Sequence, residues 1–234
     1  YDDCMAVLKD ADLYSSRSNA EVGKVMGRTL IEMDGKEHSR HRMLIQQIFV
    51  PKNLDRLEPV LDQLAREIID RMGTRPAADL VSGFTEQFPV QVMAHMTGIP
   101  RQDHARFQAW AIDIIGFPKD LPRGLASAEA LRQYLLPIIA ERRANPGDDV
   151  ISKLVTGTVD GEGLTDDEVV SFLRLLIPAG AETTFKLLGN LFVALLSERD
   201  TRYERVRADR SLVSWAIEET LRWETSVLMV SRAA

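Results

Sequence analysis

The apolar residues of this chain recur with the period of an α-helix over most of its length. In one segment they occupy positions 57, 61, 64, 68 and 72, a single stripe along a helix. We predict further helices over about 85–97, 102–115, 124–144 and 148–155, a long helix over 165–197 and a last helix over 211–223. Residues 156–164 read as a hairpin or loop, and Val227 to Val230 has the composition of a strand. The sequence therefore predicts a mainly α fold with a small β component.

Composition excludes several classes of protein. The chain has 29 basic and 35 acidic side chains, a net charge of −6, which argues against a nucleic-acid partner. Its single cysteine, Cys4, excludes an internal disulfide framework and a multi-cysteine metal site. No signal peptide or run of apolar residues long enough to span a membrane is visible, so we expect no membrane partner and a cytoplasmic location. The chain runs from Tyr1 to Ala234, shortly after the predicted strand, and we expect it to be an internal piece of a longer protein.

A first segment with chemical potential ends at Arg42. Asp34 is a natural helix N-cap, and His38 and Arg42, four residues apart, share one face of the helix that follows. Donors in this arrangement can hold a carboxylate or a phosphate. Taken alone, such a segment is more often the solvated, basic start of a helix. His38 and His41 could share a metal ion, but no third ligand is near in sequence, and we expect no metal site in this chain.

A second segment lies inside the long predicted helix, where residues 177–184 read Ile-Pro-Ala-Gly-Ala-Glu-Thr-Thr. Pro178 costs a helix interior about 3 kcal/mol. Ala179 and Gly180 then leave the next turn nearly bare, so that a flat and bulky group can approach the backbone. The carboxylate of Glu182 and the hydroxyl of Thr183 follow at once. Such local conflicts concentrate at functional sites, and close packing of two helices through small residues is the alternative.

A third segment holds Glu219 and Arg222, which are three residues apart and can pair on one helix face. Taken alone, the pair reads as an exposed one of little energetic weight. The apolar neighbours Ile217, Leu221 and Trp223 favour a pair that is at least partly buried.

Together the three segments resemble the cytochrome P450 family in its soluble bacterial form. Residues 179–184 are similar to the family's central-helix pattern (A/G)-G-x-(E/D)-T-T, and residues 219–222 to its E-x-x-R element. Residues 34–42, which end in His-x-x-x-Arg, are similar to the helix that contacts the heme propionates. The order and separations agree over essentially all 234 residues. The resemblance implies one partial P450 domain over 1–234, a P450-like helical fold incomplete at both ends.

The resemblance also implies a chemistry. The expected activity is that of a heme-thiolate monooxygenase, which activates dioxygen to oxidise a small hydrophobic substrate. The cofactor would be heme b, with electrons from NAD(P)H arriving through a ferredoxin or flavodoxin. Glu182 and Thr183 would deliver protons, and Glu219 with Arg222 would form a structural ion pair beneath the heme. The residues expected to contact the heme are His38, Arg42, Ala179, Gly180 and Arg232. The residues expected to line the substrate pocket are Ser226, Val227 and Met229.

One departure from the family pattern is large. The family's iron ligand is a cysteine in an F-x-x-G-x-x-x-C-x-G loop after the E-x-x-R element, and no residue follows Ala234 here. Cys4 precedes every motif, so we expect the chain alone to be inactive for want of a thiolate ligand. A heme-free helical scaffold or interaction protein derived from the same fold stays open as an alternative. The retained Glu182 and Thr183 favour the monooxygenase, and a metal hydrolase using His38 and His41 is disfavoured.

Overall fold

The computed structural model describes residues 1–73 and 77–234, and of Lys52 the backbone alone. Within these ranges the chain forms twelve α-helices joined by short connections. The helices are α1 Asp2–Lys9, α2 Ala20–Met26, α3 Gly35–Gln46, α4 Pro51–Asp55, α5 Glu58–Met72, α6 Gln87–Met96, α7 His104–Ile115, α8 Leu121–Ala144, α9 Val150–Thr156, α10 Asp166–Leu196, α11 Glu204–Ala208 and α12 Leu212–Trp223. The mainly α fold class predicted from the sequence is confirmed.

Helix α10 is the central element. A capping box starts it: the backbone N–H of Glu168 donates to Thr165 Oγ1 at 3.3 Å, and the N–H of Thr165 donates to the Glu168 carboxylate at 2.7 Å. The helix continues through Pro178 for 31 residues, roughly 46 Å at 1.5 Å per residue. It packs against α2, α6, α7, α8, α9 and α12. The prediction of one long capped helix is confirmed, and α10 holds the second sequence segment at the centre of the fold.

The apolar core lies where α7, α8 and α9 meet α10. Ile114, Leu131, Leu135, Ile151 and Leu173 are each at most 1% exposed. Burying one such side chain contributes roughly 1.5–3 kcal/mol. This packing buries one face of the first half of α10 in the core, and the second half of the helix contacts α12 and the segment after it.

The predicted strand from Val227 to Val230 is wrong for the part of the chain that the structure describes. These residues pair with no strand there, and Leu228 is 84% exposed. Strand composition alone is not enough, because backbone N–H and C=O groups need a partner strand in register. An isolated antiparallel bridge forms nearby instead, between Ser15 and Ala233, with N–H to C=O hydrogen bonds of 2.7 and 2.8 Å. The bridge joins the chain's last residues to the turn before α2.

The loop predicted over 156–164 is observed, with one further bridge between Val159 and Glu162. In residues 1–73 and 77–234 no helix is both long enough and apolar enough to cross a membrane.

Candidate functional site

Three basic side chains come together at the start of α3. His38 and Arg42 lie on this helix, and the segment after α12 brings Arg232 to the same region, where it donates to Ser16 Oγ. Partial burial of the ring, followed by the charges of Arg42 and Arg232, lowers the pKa of His38 below its ordinary value. The ring is therefore neutral at about pH 7 and acts as a hydrogen-bond donor beside two fixed positive charges.

Asp34 fixes this group to the turn before α2. It occupies the N-cap position of α3, but its side chain makes no bond to the helix, so that part of the prediction is wrong. The carboxylate instead accepts from Ser15 Oγ at 2.6 Å and from the Ser16 N–H at 2.9 Å. These hydrogen bonds, with the charge of Arg232 as a smaller cause, hold the pKa of Asp34 below its ordinary value although partial burial opposes them. The cap is lost because a fixed pair of donors lies closer.

The donor set suits an anionic cofactor. The ion pairs that α3 makes within the described residues use Glu37, Arg40 and His41, and none uses Arg42. Arg42 and Arg232 thus keep their charges for another partner, beside the neutral His38 ring. Charge-assisted hydrogen bonds from such groups are among the strongest that a protein offers to carboxylates. The residues present therefore fit the two propionates of heme b.

His41 does not join His38. Its Nδ1 lies 3.0 Å from the Glu37 carbonyl oxygen and its Nε2 lies 3.1 Å from Glu168 Oε1 on α10. Across the described part of the chain, no group of three or more His, Cys, Asp or Glu side chains is placed to hold a metal ion.

The threonines of α10 fold back onto their own helix. Thr183 Oγ1 donates to the Ala179 carbonyl at 2.8 Å, and Thr184 Oγ1 donates to the Gly180 carbonyl at 2.8 Å. Ala179 itself is exposed. Directly after the bare turn, therefore, the hydroxyl protons are engaged while the hydroxyl oxygens can still accept.

Gly180 lies against α6. A Cβ added at Gly180 would stand 2.6 Å from Met93 Sδ, closer than real contacts allow. Met93 is 5% exposed, so α6 and α10 approach each other through the missing side chain. The bare turn therefore has two sides: Gly180 packs against a neighbouring helix, and Ala179 is open.

A cleft of about 490 Å³ opens beside Glu182 and Thr183. Its other wall is the segment after α12, which includes Ser226 and Val227. Met229 is not part of this wall and is 82% exposed. The volume lies within the range of small-molecule sites, about 300–1,000 Å³.

The polar lining of the cleft adds two features that sequence reasoning missed. Asn190 Nδ2 donates to the Glu224 carbonyl at 2.9 Å, which holds the far wall against α10. The Glu182 carboxylate pairs with Lys186 Nζ at 2.5 Å. Ser226 lines the cleft, and its Oγ is shielded from solvent with no hydrogen-bond partner among the described residues.

Glu219 and Arg222 form a bidentate pair, with both N–H to O distances at 2.7 Å. Their side chains are 62% and 70% exposed. The expectation of a buried pair is wrong for the described residues, because nothing among them packs over this face of α12.

These features define a mainly α protein in which a long central helix places an acid and an alcohol beside a cleft, and a second helix carries donors suited to carboxylates. No family model matches the chain. Cytochrome P450(MEG) of Priestia megaterium is 34% identical over an alignment of 249 positions, gaps included, which covers 99% of this chain and 60% of that protein. Pulcherriminic acid synthase of Bacillus subtilis is 33% identical over 99% of this chain and 59% of its own length.

Solved structures agree. Cytochrome P450 CYP109Q5 from Chondromyces apiculatus matches with a TM-score of 0.87 and 32% identity over 96% of this chain and 58% of its own. CYP109E1 from Bacillus megaterium in complex with testosterone matches with a TM-score of 0.82 and 32% identity, over 93% of this chain and 57% of its own. The chain belongs to the cytochrome P450 family, and it spans about 60% of the length of the curated relatives that it matches.

Proposed function

We propose that this chain is part of a heme-thiolate monooxygenase that oxidises a small hydrophobic organic substrate, and that residues 1–234 form one part of its single domain. The observation that carries the proposal is the cleft beside Glu182 and Thr183, in a chain of the P450 family. The grouping of Arg42 and Arg232 around the neutral His38 ring supports it.

Heme, when bound, supplies the iron centre at which dioxygen is activated. In this proposal His38, Arg42 and Arg232 hold its propionates through charge-assisted hydrogen bonds. Ala179, the exposed residue of the bare turn, would contact the face of the ring. Gly180 contributes indirectly, since its close packing on Met93 fixes how far this turn of α10 stands from α6.

Glu182 and Thr183 move protons in this scheme. Glu182 is partly exposed and lines the cleft, so its carboxylate can take a proton from water and release it inward. The Thr183 oxygen accepts a proton, and the proton that it already carries, which is hydrogen-bonded to the Ala179 carbonyl in the structure, is passed into the cleft. After each transfer Thr183 again carries one hydroxyl proton, as a proton relay requires.

The substrate is proposed to be small and hydrophobic, with Ser226, Val227 and Met229 as contacts. The mixed polar and apolar lining of the cleft supports the class, and a testosterone complex of the related CYP109E1 is compatible with it. By the family resemblance we also propose a cytoplasmic enzyme that receives NAD(P)H electrons through a ferredoxin or flavodoxin.

Hemin binding by the isolated chain tests the cofactor proposal. We expect hemin titration, followed by the Soret band, to give at least about tenfold weaker binding in Arg42→Ala, because a hydrogen bond to a charged group contributes roughly 1.5–3 kcal/mol. Arg66→Ala is the matched control, since Arg66 is exposed on α5 and paired with Asp62 at 2.8 Å. Equal binding by the two variants would contradict the propionate role.

A reduced, carbon monoxide-treated sample tests whether the chain supplies a thiolate ligand to heme. The isolated chain should lack the Soret band of a thiolate–iron–CO complex, because its only cysteine, Cys4, is exposed on α1. The product of the complete gene should show that band. Its absence there would favour the heme-free scaffold instead, and its presence in the isolated chain would refute the proposal that this chain alone is inactive.

A further inference from the structure

His41 stands between two acceptors on different elements. The side chain is 9% exposed, and the residue lies on α3 between His38 and Arg42. Nδ1 is 3.0 Å from the carbonyl oxygen of Glu37, and Nε2 is 3.1 Å from Oε1 of Glu168 at the start of α10. Each ring nitrogen therefore has one polar neighbour within hydrogen-bond distance.

Neither neighbour can donate. A backbone carbonyl only accepts, and an ionised carboxylate only accepts. Burial disfavours the charge of Glu168, but hydrogen bonds from Thr165 and His41 outweigh it and leave the pKa of Glu168 below its ordinary value. Its other oxygen, Oε2, is already bonded to the Thr165 N–H at 2.7 Å and hydroxyl at 2.8 Å. Both nitrogens of His41 must carry a proton to make both bonds.

We propose that His41 is a positioning residue held as an imidazolium, which ties α3 to the capping box of α10. The tie fixes the helix that carries His38 and Arg42 relative to the helix that carries Thr183. The positioning role rests on the proposed function, whereas the protonation state and the tie itself need no heme.

Charged groups of both signs lie around His41. The charged and titratable groups that face this region are Glu37, His38 and Arg40 on α3, Arg28 before it, and Glu162 and Glu168 from the loop and helix of α10. Arg28 pairs with Glu37, and Arg40 lies 3.6 Å from Glu162. Arg40 Nη1 is 3.8 Å from Glu168 Oε1, too far for a hydrogen bond, so among the described residues His41 is the donor within hydrogen-bond distance of that oxygen.

Loss of the proton breaks one of the two bonds. A neutral ring can donate to Glu37 or to Glu168 but not to both, and its lone pair then faces the remaining acceptor. A buried acceptor without a donor is destabilising. The tie between α3 and α10 is therefore present when His41 is charged and is lost as the pH rises.

NMR of the isotope-labelled chain tests the protonation state. At about pH 7, where an ordinary histidine is mostly neutral, we expect two protonated ring nitrogens for His41 and a single neutral tautomer for His38. His41→Gln identifies the signal. His104→Gln is the control, because it removes a partly buried histidine whose hydrogen-bond partner among the described residues is the Ile99 carbonyl. A single neutral tautomer for His41 overturns the proposal. Glu168→Gln should lower the protonated fraction, and an unchanged fraction would show that Glu168 is not the partner.

Hemin affinity tests the positioning role. We expect wild-type affinity to fall several-fold as the pH is raised above about 7, in step with the loss of the second ring proton of His41 in the NMR spectrum. The Glu168→Gln profile should be flat and weaker at the low-pH end. A merely structural contact would lower affinity equally at all pH values, and parallel profiles would overturn the positioning role. If wild-type chain binds no hemin, the proposed function fails while the NMR result still decides the state of His41. A neutral His41 with normal hemin binding refutes this inference alone.

Discussion

The hydroxyl of Thr183 donates to the carbonyl of Ala179, one turn earlier on α10, at 2.8 Å. The bond duplicates what the helix ladder already provides for that carbonyl, and a back-bonded threonine slightly destabilises a helix. Thr183 is thus a partly exposed polar residue at a cleft, where it adds little to the free energy of unfolding. We therefore expect the Thr183 hydroxyl to contribute to the proposed reaction and not to the stability of the fold.

Thr183→Ala should therefore separate stability from function. We expect the melting temperature of the chain and its hemin affinity to change little, because alanine has the better helix propensity by a few tenths of a kcal/mol. In the complete gene product, if it is the proposed monooxygenase, the variant should divert electrons to hydrogen peroxide. The measurement is product formed and peroxide formed per NAD(P)H consumed.

Two controls accompany that experiment. Thr183→Ser keeps a hydroxyl and should keep most of the product yield. Thr184→Ala removes the same kind of back-bond, to Gly180, from a residue that does not line the cleft, and should leave the yield unchanged. A normal yield in Thr183→Ala would show that its hydroxyl is not part of the relay.

Gly180 and Met93 should be energetically coupled. Gly180→Ala gains about 1 kcal/mol of helix propensity, but the new methyl group would meet Met93 Sδ, and overpacking of this kind typically costs about 1–3 kcal/mol. We expect net destabilisation of up to about 2 kcal/mol. With Met93→Ala in the background the space is free, and Gly180→Ala should stabilise by about 1 kcal/mol. Urea unfolding of the four proteins measures this, and additive effects would contradict the packing described.

The sequence was sufficient for elements whose cause is local. The apolar period and the Thr165–Glu168 capping box predict α10 because both act within a few residues. The predicted strand from Val227 to Val230 failed for the opposite reason. Pairing depends on a distant partner, and the partner found in this region, Ser15, bonds to Ala233 instead.

The candidate site divides in the same way. Because Glu182 and Thr183 are adjacent in the sequence, we could predict that they lie together. Because His38 and Arg42 are four residues apart, we could predict that they share a helix face. The partners of His41 and Asn190 could not be foreseen, since Glu168 and Glu224 are brought in by tertiary packing. For Gly180 the sequence allowed either a site for a flat group or close packing of two helices. It could not decide between them, because no local pattern indicates that Met93 lies against this glycine.

The Glu219–Arg222 pair should add nothing measurable to the stability of the isolated chain. Its two hydrogen bonds lower the pKa of Glu219, but both side chains are in water, where salt screens their attraction. Glu219→Gln should leave the melting temperature unchanged, as should Glu204→Gln in the similarly spaced and more weakly exposed pair with Arg207 on α11. A fall in Glu219→Gln alone would show that this face of α12 is covered. A larger fall in the complete gene product is expected if the pair is buried there.

The acid stability of the chain should depend on Asp34. Hydrogen bonds from Ser15 and Ser16 hold its folded-state pKa below the value of an unfolded aspartate, about 3.9. A group with a depressed pKa stabilises the fold above its unfolded pKa and loses that contribution as the pH falls through its folded pKa. Asp34→Asn should therefore lower the free energy of unfolding at about pH 7. The difference in this free energy between variant and wild type should become smaller below about pH 4.

Urea unfolding across that pH range gives the gap directly, with Asp12→Asn, at an exposed aspartate, as the control that should follow wild type throughout. A gap that stays constant on acidification would mean that Asp34 acts through shape and not through charge. A gap that closes would mean that the carboxylate itself ties α3 to the Ser15–Ser16 turn. In that case the turn, its bridge to Ala233 and the neighbouring Arg232 should loosen together when Asp34 is protonated, because the same turn anchors all three.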